Sequence, residues 1–139
     1  MEIRTFTEAD TDAVIDLWRA TGLVHTTNDP LRDVDRKVAD SPWGFLVLTE
    51  DDDIIGSVMV GYDGHRGWIN YLACRPDHRR RGVATELMAA ARELLLDRGC
   101  PKINLQVRAG NEEAHEFSRS LGYSEDAVTS FGLRLIPDT

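Results

Sequence analysis

Trp68-Ile69-Asn70-Tyr71-Leu72-Ala73-Cys74, then Arg75-Pro76-Asp77-His78, then Arg79-Arg80-Arg81-Gly82-Val83-Ala84-Thr85, is the stretch on which the reading of the fold turns. Its first seven residues are apolar and β-prone, and Pro76 closes them off. Beyond Gly82, the residues Ala84, Leu87, Met88, Ala91, Leu94 and Leu95 recur at i, i+3, i+4 spacing, which predicts a long amphipathic helix ended by Gly99 and Pro101. The segment between is therefore a strand-loop-helix junction with a glycine at the helix start. The first N–H groups of a helix lack internal acceptors and the helix dipole favours negative charge there, so such a junction is an anion site. Residues 75–81 add four arginines against one aspartate, a local reversal of sign in a chain with a formal net charge of −8.

Working outward, residues 3–6 read as a first strand, and Thr7 with Asp10 forms a capping box for a helix carrying Val14, Leu17 and Trp18 up to Gly22. Asp29 and Pro30 are N-cap and first position of a second helix, with Leu31, Val34 and Val38 as its expected buried stripe and Pro42 as its stop. Residues 45–48 and 54–60 are a hairpin pair around the acidic turn Glu50-Asp51-Asp52-Asp53. A glycine-rich loop, residues 61–67, leads into the fourth strand. A fifth strand follows at 103–107, then a helix capped by Asn111 with Ala114, Phe117 and Leu121 inward, and a last pair of strands through residues 130–136. The order β-α-α-β-β-β-α-β-α-β-β predicts an α+β fold with helices on both faces of the sheet. The 139 residues suffice for one domain, 1–139.

The composition excludes several classes. At 42% hydrophobic and 29% charged the chain is that of a globular protein, and no apolar run approaches a membrane span. Met1-Glu2-Ile3-Arg4-Thr5-Phe6 lacks the pattern of a signal peptide, and with only Cys74 and Cys100 the expectation is a cytoplasmic protein. The acidic balance argues against nucleic acid as a partner and suits a cationic acceptor. The acid turn reads as a solvated edge rather than a metal site, and no metal is expected. A Walker loop and a dinucleotide fingerprint are both absent. Cys74 and Cys100 read as structural, since Cys74 has no evident histidine partner.

Arg79-x-x-Gly82-x-Ala84 resembles the Arg/Gln-x-x-Gly-x-Gly/Ala signature of the GNAT superfamily of acetyl-CoA-dependent N-acyltransferases. Leu72-Ala73-Cys74-Arg75-Pro76 is similar to the family's strand-four exit, Leu105-Gln106-Val107-Arg108 with Asn111 to its fifth strand and cap, and residues 114–123 to its closing helix. The likeness includes small bacterial members such as ribosomal-protein N-terminal acetyltransferases. It implies a mixed, mainly antiparallel sheet of about seven strands with strands four and five splayed. It implies acetyl-CoA as co-substrate, with backbone of Leu72 and Cys74 pairing with pantetheine and Ala73 counted among the cofactor-binding residues. The N–H groups of Arg81, Gly82, Val83, Ala84 and Thr85 would hold the pyrophosphate, with Arg79, Arg80 and Arg81 near phosphate. Asn111 and Ser118 would line the opposite wall.

The implied activity is transfer of acetyl to a primary amine, on a small molecule or a peptide, by direct attack in a ternary complex. A homodimer stays open. The acid-base positions depart from the family: its strand-four glutamate falls on Trp68, the glutamate of ribosomal-protein acetyltransferases on Gln106, and the helix tyrosine on Ser118. Backbone N–H of Cys74 or its neighbour can still polarise a carbonyl. His65 and Asp63 are the nearest titratable groups by sequence, Asn70 shares a strand face with Trp68 and can position water, and Ser118 can donate a proton. Alternation sends Tyr71 to the other face, and Tyr123 packs at the helix end. Trp18, His25, Thr27, Asn28 and Asp29 join Asp63 and His65 as acceptor-lining candidates. The departures also permit a rival, an acyl-CoA-binding sensor with little activity.

Overall fold

The computed structural model describes residues 1–138, in two units: Met1–Leu105 together with Asp138, and Gln106–Pro137. In the first unit the strands β1 (Glu2–Thr5), β2 (Phe45–Glu50), β3 (Asp53–Tyr62), β4 (Gly67–Cys74) and β5 (Ile103–Leu105) form one sheet in that order. The first four pair antiparallel and β5 joins β4 in parallel. Helices α1 (Thr11–Ala20), α2 (Pro30–Asp40) and α3 (Val83–Asp97) belong to this unit. No helix among the described residues is long and apolar enough to cross a membrane.

β3 is buried almost throughout because both its faces are covered. Ser57 and Met59 lie on the side of α1, where Trp18, Phe45 and Val14 make the core. Gly56 lies on the side of α3: a Cβ there would stand 2.6 Å from Val83 and 2.9 Å from Leu87, so only glycine lets the start of α3 approach so closely. The hairpin between β2 and β3 turns on Asp51 and Asp52, both at positive φ, as a two-residue turn requires and as Asp tolerates.

The capping box forms: the Asp10 carboxylate accepts from the Thr7 N–H at 2.8 Å, and Arg4 grips it at 2.7 and 2.9 Å. Arg4, together with the Thr7 bonds, holds the Asp10 carboxyl down at about 2 despite its burial. A depressed folded pKa contributes stability that is complete above about pH 4 and is lost as pH falls through about 2. The stability gap between the native chain and Asp10→Asn, measured by urea unfolding, is therefore expected to shrink steadily from pH 4 to pH 2. A gap independent of pH would contradict this.

Three expectations are corrected. The sheet has five strands, not about seven: among the described residues no strand lies in 130–136, and β5 ends at Leu105 rather than at residue 107. Alternating apolar residues supply a strand's side-chain pattern but not its ladder partner, and β5 offers only three residues of edge. The inward face of α2 carries Pro30 and Val34, while Leu31 and Val38 are exposed. Lys37, one turn on from Val34, takes the inward place and donates to Ser41 Oγ and to the carbonyl of Val60. The loop expected over residues 61–67 is tight, as its glycines suggest, but shorter: β3 runs through Tyr62 and β4 starts at Gly67, leaving Asp63, Gly64, His65 and Arg66.

The second unit contains α4 (Glu112–Ser120), capped as expected by Asn111, whose side chain accepts from the Ala114 N–H at 3.2 Å. No residue of residues 106–137 is buried.

Candidate active site

Pairing of β4 with β5 stops at Ile69 and Leu105, so β4 continues from Asn70 to Cys74 with no strand on its far edge among the described residues. That edge presents the backbone of Leu72 and Cys74 unpaired by sheet, while the backbone groups of Ala73, like the Arg75 N–H, are turned to β3. On the near side Ala73 pairs with Ser57 and Cys74 with Gly56, but the register shifts between Ser57 and Met59, so Tyr71 and Leu72 form a bulge. Tyr71 has φ 49°, an uncommon conformation for an aromatic residue.

The surroundings of Tyr71 hold it there. Its ring stacks on Trp18 at 3.9 Å between centroids, its hydroxyl donates to Asp33 Oδ2 at 2.6 Å, and its carbonyl accepts from Ser57 Oγ at 3.0 Å. Ser57 in turn accepts from the Trp18 indole N–H at 2.9 Å. Burial, then the Asp33 carboxylate, push the Tyr71 hydroxyl well above the usual tyrosine range, so it keeps its proton. The bulge thus corrects the expectation from alternation: Tyr71 packs on the α1 side. Asp33 is further tied to Arg36 at 3.2 Å, and Arg36 to Asp138 at 2.8 Å. Arg36, then the Asp29 N–H, hold the Asp138 carboxyl far below its ordinary range.

β4 leaves the sheet at Cys74 and reaches α3 through a short 3₁₀ turn, Pro76–His78. Arg80 has φ 66° and Gly82 φ 81°, so the chain bends back on itself just before α3. The first internal bond of α3 is donated by the Glu86 N–H to the Gly82 carbonyl at 2.9 Å. The N–H groups of Val83, Ala84 and Thr85 precede it and point out of the helix start. A Cβ placed on Gly82 would meet nothing within 4 Å, so open space lies against this turn. Arg79, Arg80 and Arg81 are exposed, and Arg81 is bonded to Glu50 at 2.7 Å. The acidic hairpin turn thereby holds one arginine of the cluster.

Cys74 carries a thiol pushed up by burial, directed at the carbonyls of Arg75 and His78, which does not make a nucleophile. Asp63 Oδ1 accepts from the N–H groups of Arg66 at 2.7 Å and His65 at 2.8 Å, and Oδ2 from the Trp68 indole at 3.3 Å. These bonds organise the turn and hold the carboxyl below its ordinary range, led by the Arg66 and His65 N–H groups. His65 is exposed at the tip, and from Gly67 to Leu72 is roughly 17 Å along an extended strand. Asn70 is exposed opposite Met59. Trp18 is fully buried and so is core, while Asp29 caps α2 and Asn28 reaches Asp33 at 3.4 Å. His25 is half-buried and Thr27 exposed. In the second unit the Ser118 hydroxyl donates to the Ala114 carbonyl at 2.9 Å, and Gln106 to Ser130 Oγ at 2.6 Å.

Asp33, Arg36, Ser57 and Asp138 escaped the sequence reading. The only signal for Ser57 was that a buried Trp18 must find an acceptor for its indole. An open depression lined by Asp12, Ile15, Asp16, Arg19, Asp29, Pro30 and Leu31 lies between α1 and α2, and no residue of β4 borders it.

A parallel strand pair whose ladder stops part-way along β4, a bulge on β4, and a helix-start turn suited to an anion are the geometry that the resemblance to the GNAT superfamily leads one to expect around a donor site. The family described as Acetyltransferase (GNAT) family matches residues 10–123. An acetyltransferase of Sodalis glossinidius is 44% identical over 99% of this chain and 98% of its own. An uncharacterized N-acetyltransferase of Yersinia pestis is 43% identical over 99% and 98%. Among solved structures, Ard1 from Thermoplasma volcanium superposes with a TM-score of 0.82 at 24% identity, covering 91% of this chain and 84% of that one. AAC(6')-Iy, solved with the bisubstrate analog CoA-S-monomethyl-acetylneamine, gives 0.78 at 18% identity, covering 96% and 98%. The chain belongs to the GNAT family of acetyltransferases. It is an acyltransferase, and the donor its family uses is acetyl-CoA.

Proposed function

We propose that this chain is an N-acetyltransferase that transfers acetyl from acetyl-CoA to a primary amine by direct attack in a ternary complex. The observation that carries the proposal is the continuity of the uncovered edge of β4 with the open turn at Gly82. Acetyl-CoA supplies, when bound, an acetyl group activated as a thioester. The residues fit it: N–H groups of Val83, Ala84 and Thr85 for the pyrophosphate, backbone of Leu72 and Cys74 for the amide arms with Ala73 between them, and Arg79 and Arg80 for outlying phosphate. Asn111 and Ser118 are further proposed contacts on the strength of the family resemblance. We take residues 1–139 as one functional domain, acting in the cytoplasm, where the free Cys74 and Cys100 stay reduced.

The bulge is the centre of the proposed chemistry. The backbone N–H of Cys74, on the strand that the anchored Tyr71 helps to hold, polarises the thioester carbonyl. Asn70 positions water beside it; as the amine nitrogen bonds to the acetyl carbon and the C–S bond breaks, the proton lost by the nitrogen passes through that water to the departing thiolate, and CoA leaves as the thiol. An α-amine with a pKa near 8 is already neutral in about a tenth of molecules at pH 7, so a strong base is not required. The engagement of Asp63 in its turn and its distance along β4 support a route that bypasses Asp63 and His65. The net charge of −8 favours a cationic acceptor.

Thiol release from acetyl-CoA across a panel of primary amines tests this reading. At least one amine is expected to turn over, and the double variant Asp63→Ala/His65→Ala is expected to keep kcat within about threefold. A hundredfold loss of kcat with unchanged acetyl-CoA affinity would assign the base to that turn, in line with the usual worth of general base catalysis. The sensor reading draws on the Ser118 hydroxyl already being spent on Ala114. Acetyl-CoA binding without release across the panel would favour it.

A further inference from the structure

Helix α2 meets β4 through a polar contact. Of its residues only Pro30 and Val34 are buried, while Asp33 accepts from the Tyr71 hydroxyl at 2.6 Å. A carboxylate set against a half-buried ring must be compensated for lost hydration, and the two oxygens of Asp33 are compensated separately. Oδ2 also accepts from Asn28 Nδ2 at 3.4 Å, and Oδ1 accepts from Arg36 Nη1 at 3.2 Å. Arg36 is a long, exposed side chain that would sample many rotamers in water. What confines it stands 102 residues further along the chain. Asp138 takes Nη1 at 3.0 Å and Nη2 at 2.8 Å as a bidentate pair, and its Oδ2 accepts the Asp29 N–H at 3.2 Å. Exposed ion pairs contribute little because both partners move and salt screens them. Here the pairing is two-pronged and the Asp138 side chain is 1% exposed, so the geometry of the guanidinium is fixed.

We propose, resting on the acetyltransferase reading above, that Asp138 is a positioning residue for acyl transfer: through Arg36 and Asp33 it fixes Tyr71, and through Tyr71 the stretch of β4 that holds the donor. Tyr71 stands at φ 49°, a conformation that persists only where the surroundings over-determine it. Its ring is held by the stack on Trp18 at 3.9 Å and its tip by Asp33. Cys74, whose N–H is proposed to polarise the thioester, lies three residues beyond it on the same strand. Loss of the Asp138 carboxylate frees Arg36, loosens Asp33 and lets the bulge relax. A displacement of about 1 Å at reacting groups costs up to about a hundredfold in rate, and a clamp acting through two intermediates is expected to cost about tenfold. None of these bonds reaches the Gly82 turn, so the loss falls on kcat and acetyl-CoA affinity is kept.

Steady-state transfer by the native chain, Asp138→Ala, Tyr71→Phe and the double variant, with an amine that the native chain turns over, tests the proposal. Each single variant is expected to lower kcat about tenfold with the KM for acetyl-CoA within about twofold of native. The double variant is expected to fall no further than the poorer single one, because both changes cut one line of contacts. Asp138→Glu, which returns a carboxylate to Arg36, is expected to recover most of the loss. The amide resonances of Tyr71, Leu72 and Cys74 in the ligand-free protein give a readout independent of turnover, and they are expected to shift in Asp138→Ala as they do in Tyr71→Phe. A double-variant loss equal to the product of the two single losses overturns the proposal, as does unchanged kcat in Asp138→Ala or unshifted amides in that variant. A native chain that turns over no amine overturns the transferase reading itself, and the native control alone reveals that failure.

Discussion

Gly82→Glu is expected to abolish stabilisation of the protein by acetyl-CoA while leaving the ligand-free fold in place. The two effects separate because of where Gly82 stands. Its φ of 81° costs a side chain about 1–2 kcal/mol of backbone strain, a modest destabilisation. Its Cβ direction opens on space, with nothing within 4 Å, so no packing is disturbed. A glutamate there fills that space and sets a negative charge against the N–H groups of Val83, Ala84 and Thr85, where the pyrophosphate is proposed to bind. A ligand at a hundred times its dissociation constant stabilises a protein by about 2.7 kcal/mol, and that increment is the quantity expected to vanish. Gly82→Ala shares the strain but not the charge and is expected to keep part of the increment. Thermal denaturation of the three proteins with and without acetyl-CoA reads both terms, and an undiminished increment in Gly82→Glu would refute the placement.

The second large effect is expected from Trp18→Ala. Trp18 is fully buried, stacks on Tyr71 and on Phe45, and donates its indole N–H to Ser57. Removing it leaves a cavity costing about 3–5 kcal/mol, a large share of the stability of a domain this size. It also frees the Ser57 hydroxyl and takes away the ring on which Tyr71 rests at positive φ. Activity, where the variant remains folded, is expected to fall more than Trp18→Phe lowers it, since Phe keeps the stack and forfeits only the hydrogen bond, worth about 1 kcal/mol. Chemical denaturation gives the stability difference. A cost below about 1 kcal/mol for Trp18→Ala would mean that the tryptophan does not carry the core as described.

Local rules carried most of the fold. The spacing of Leu87, Met88, Ala91 and Leu95 marked α3, Asp29 with Pro30 marked the start of α2, and Thr7 with Asp10 marked the 3₁₀ turn, Glu8–Asp10, that leads into α1, each because the controlling contacts lie within one helical turn. The Gly82 turn was legible for the same reason. The bulge at Tyr71 was not, because it answers to partners remote in sequence: Asp33, Trp18 and Ser57. Alternation assumes an unbroken strand and so sent Tyr71 to the wrong face. The stripe of α2 failed through Lys37, whose aliphatic stem substitutes for an apolar residue on the inward face while its amine reaches the Val60 carbonyl. The final strands failed because a strand needs a neighbour that its own residues do not specify.

The claim on which the rest depends is that β4 and the Gly82 turn together form the donor site. Calorimetric titration of the native chain with acetyl-CoA, followed by amide exchange of Val83, Ala84 and Thr85, tests it most directly. Saturable one-to-one binding is expected, with slowed exchange at those three amides. Absence of binding, or binding that leaves their exchange unchanged, would contradict the account.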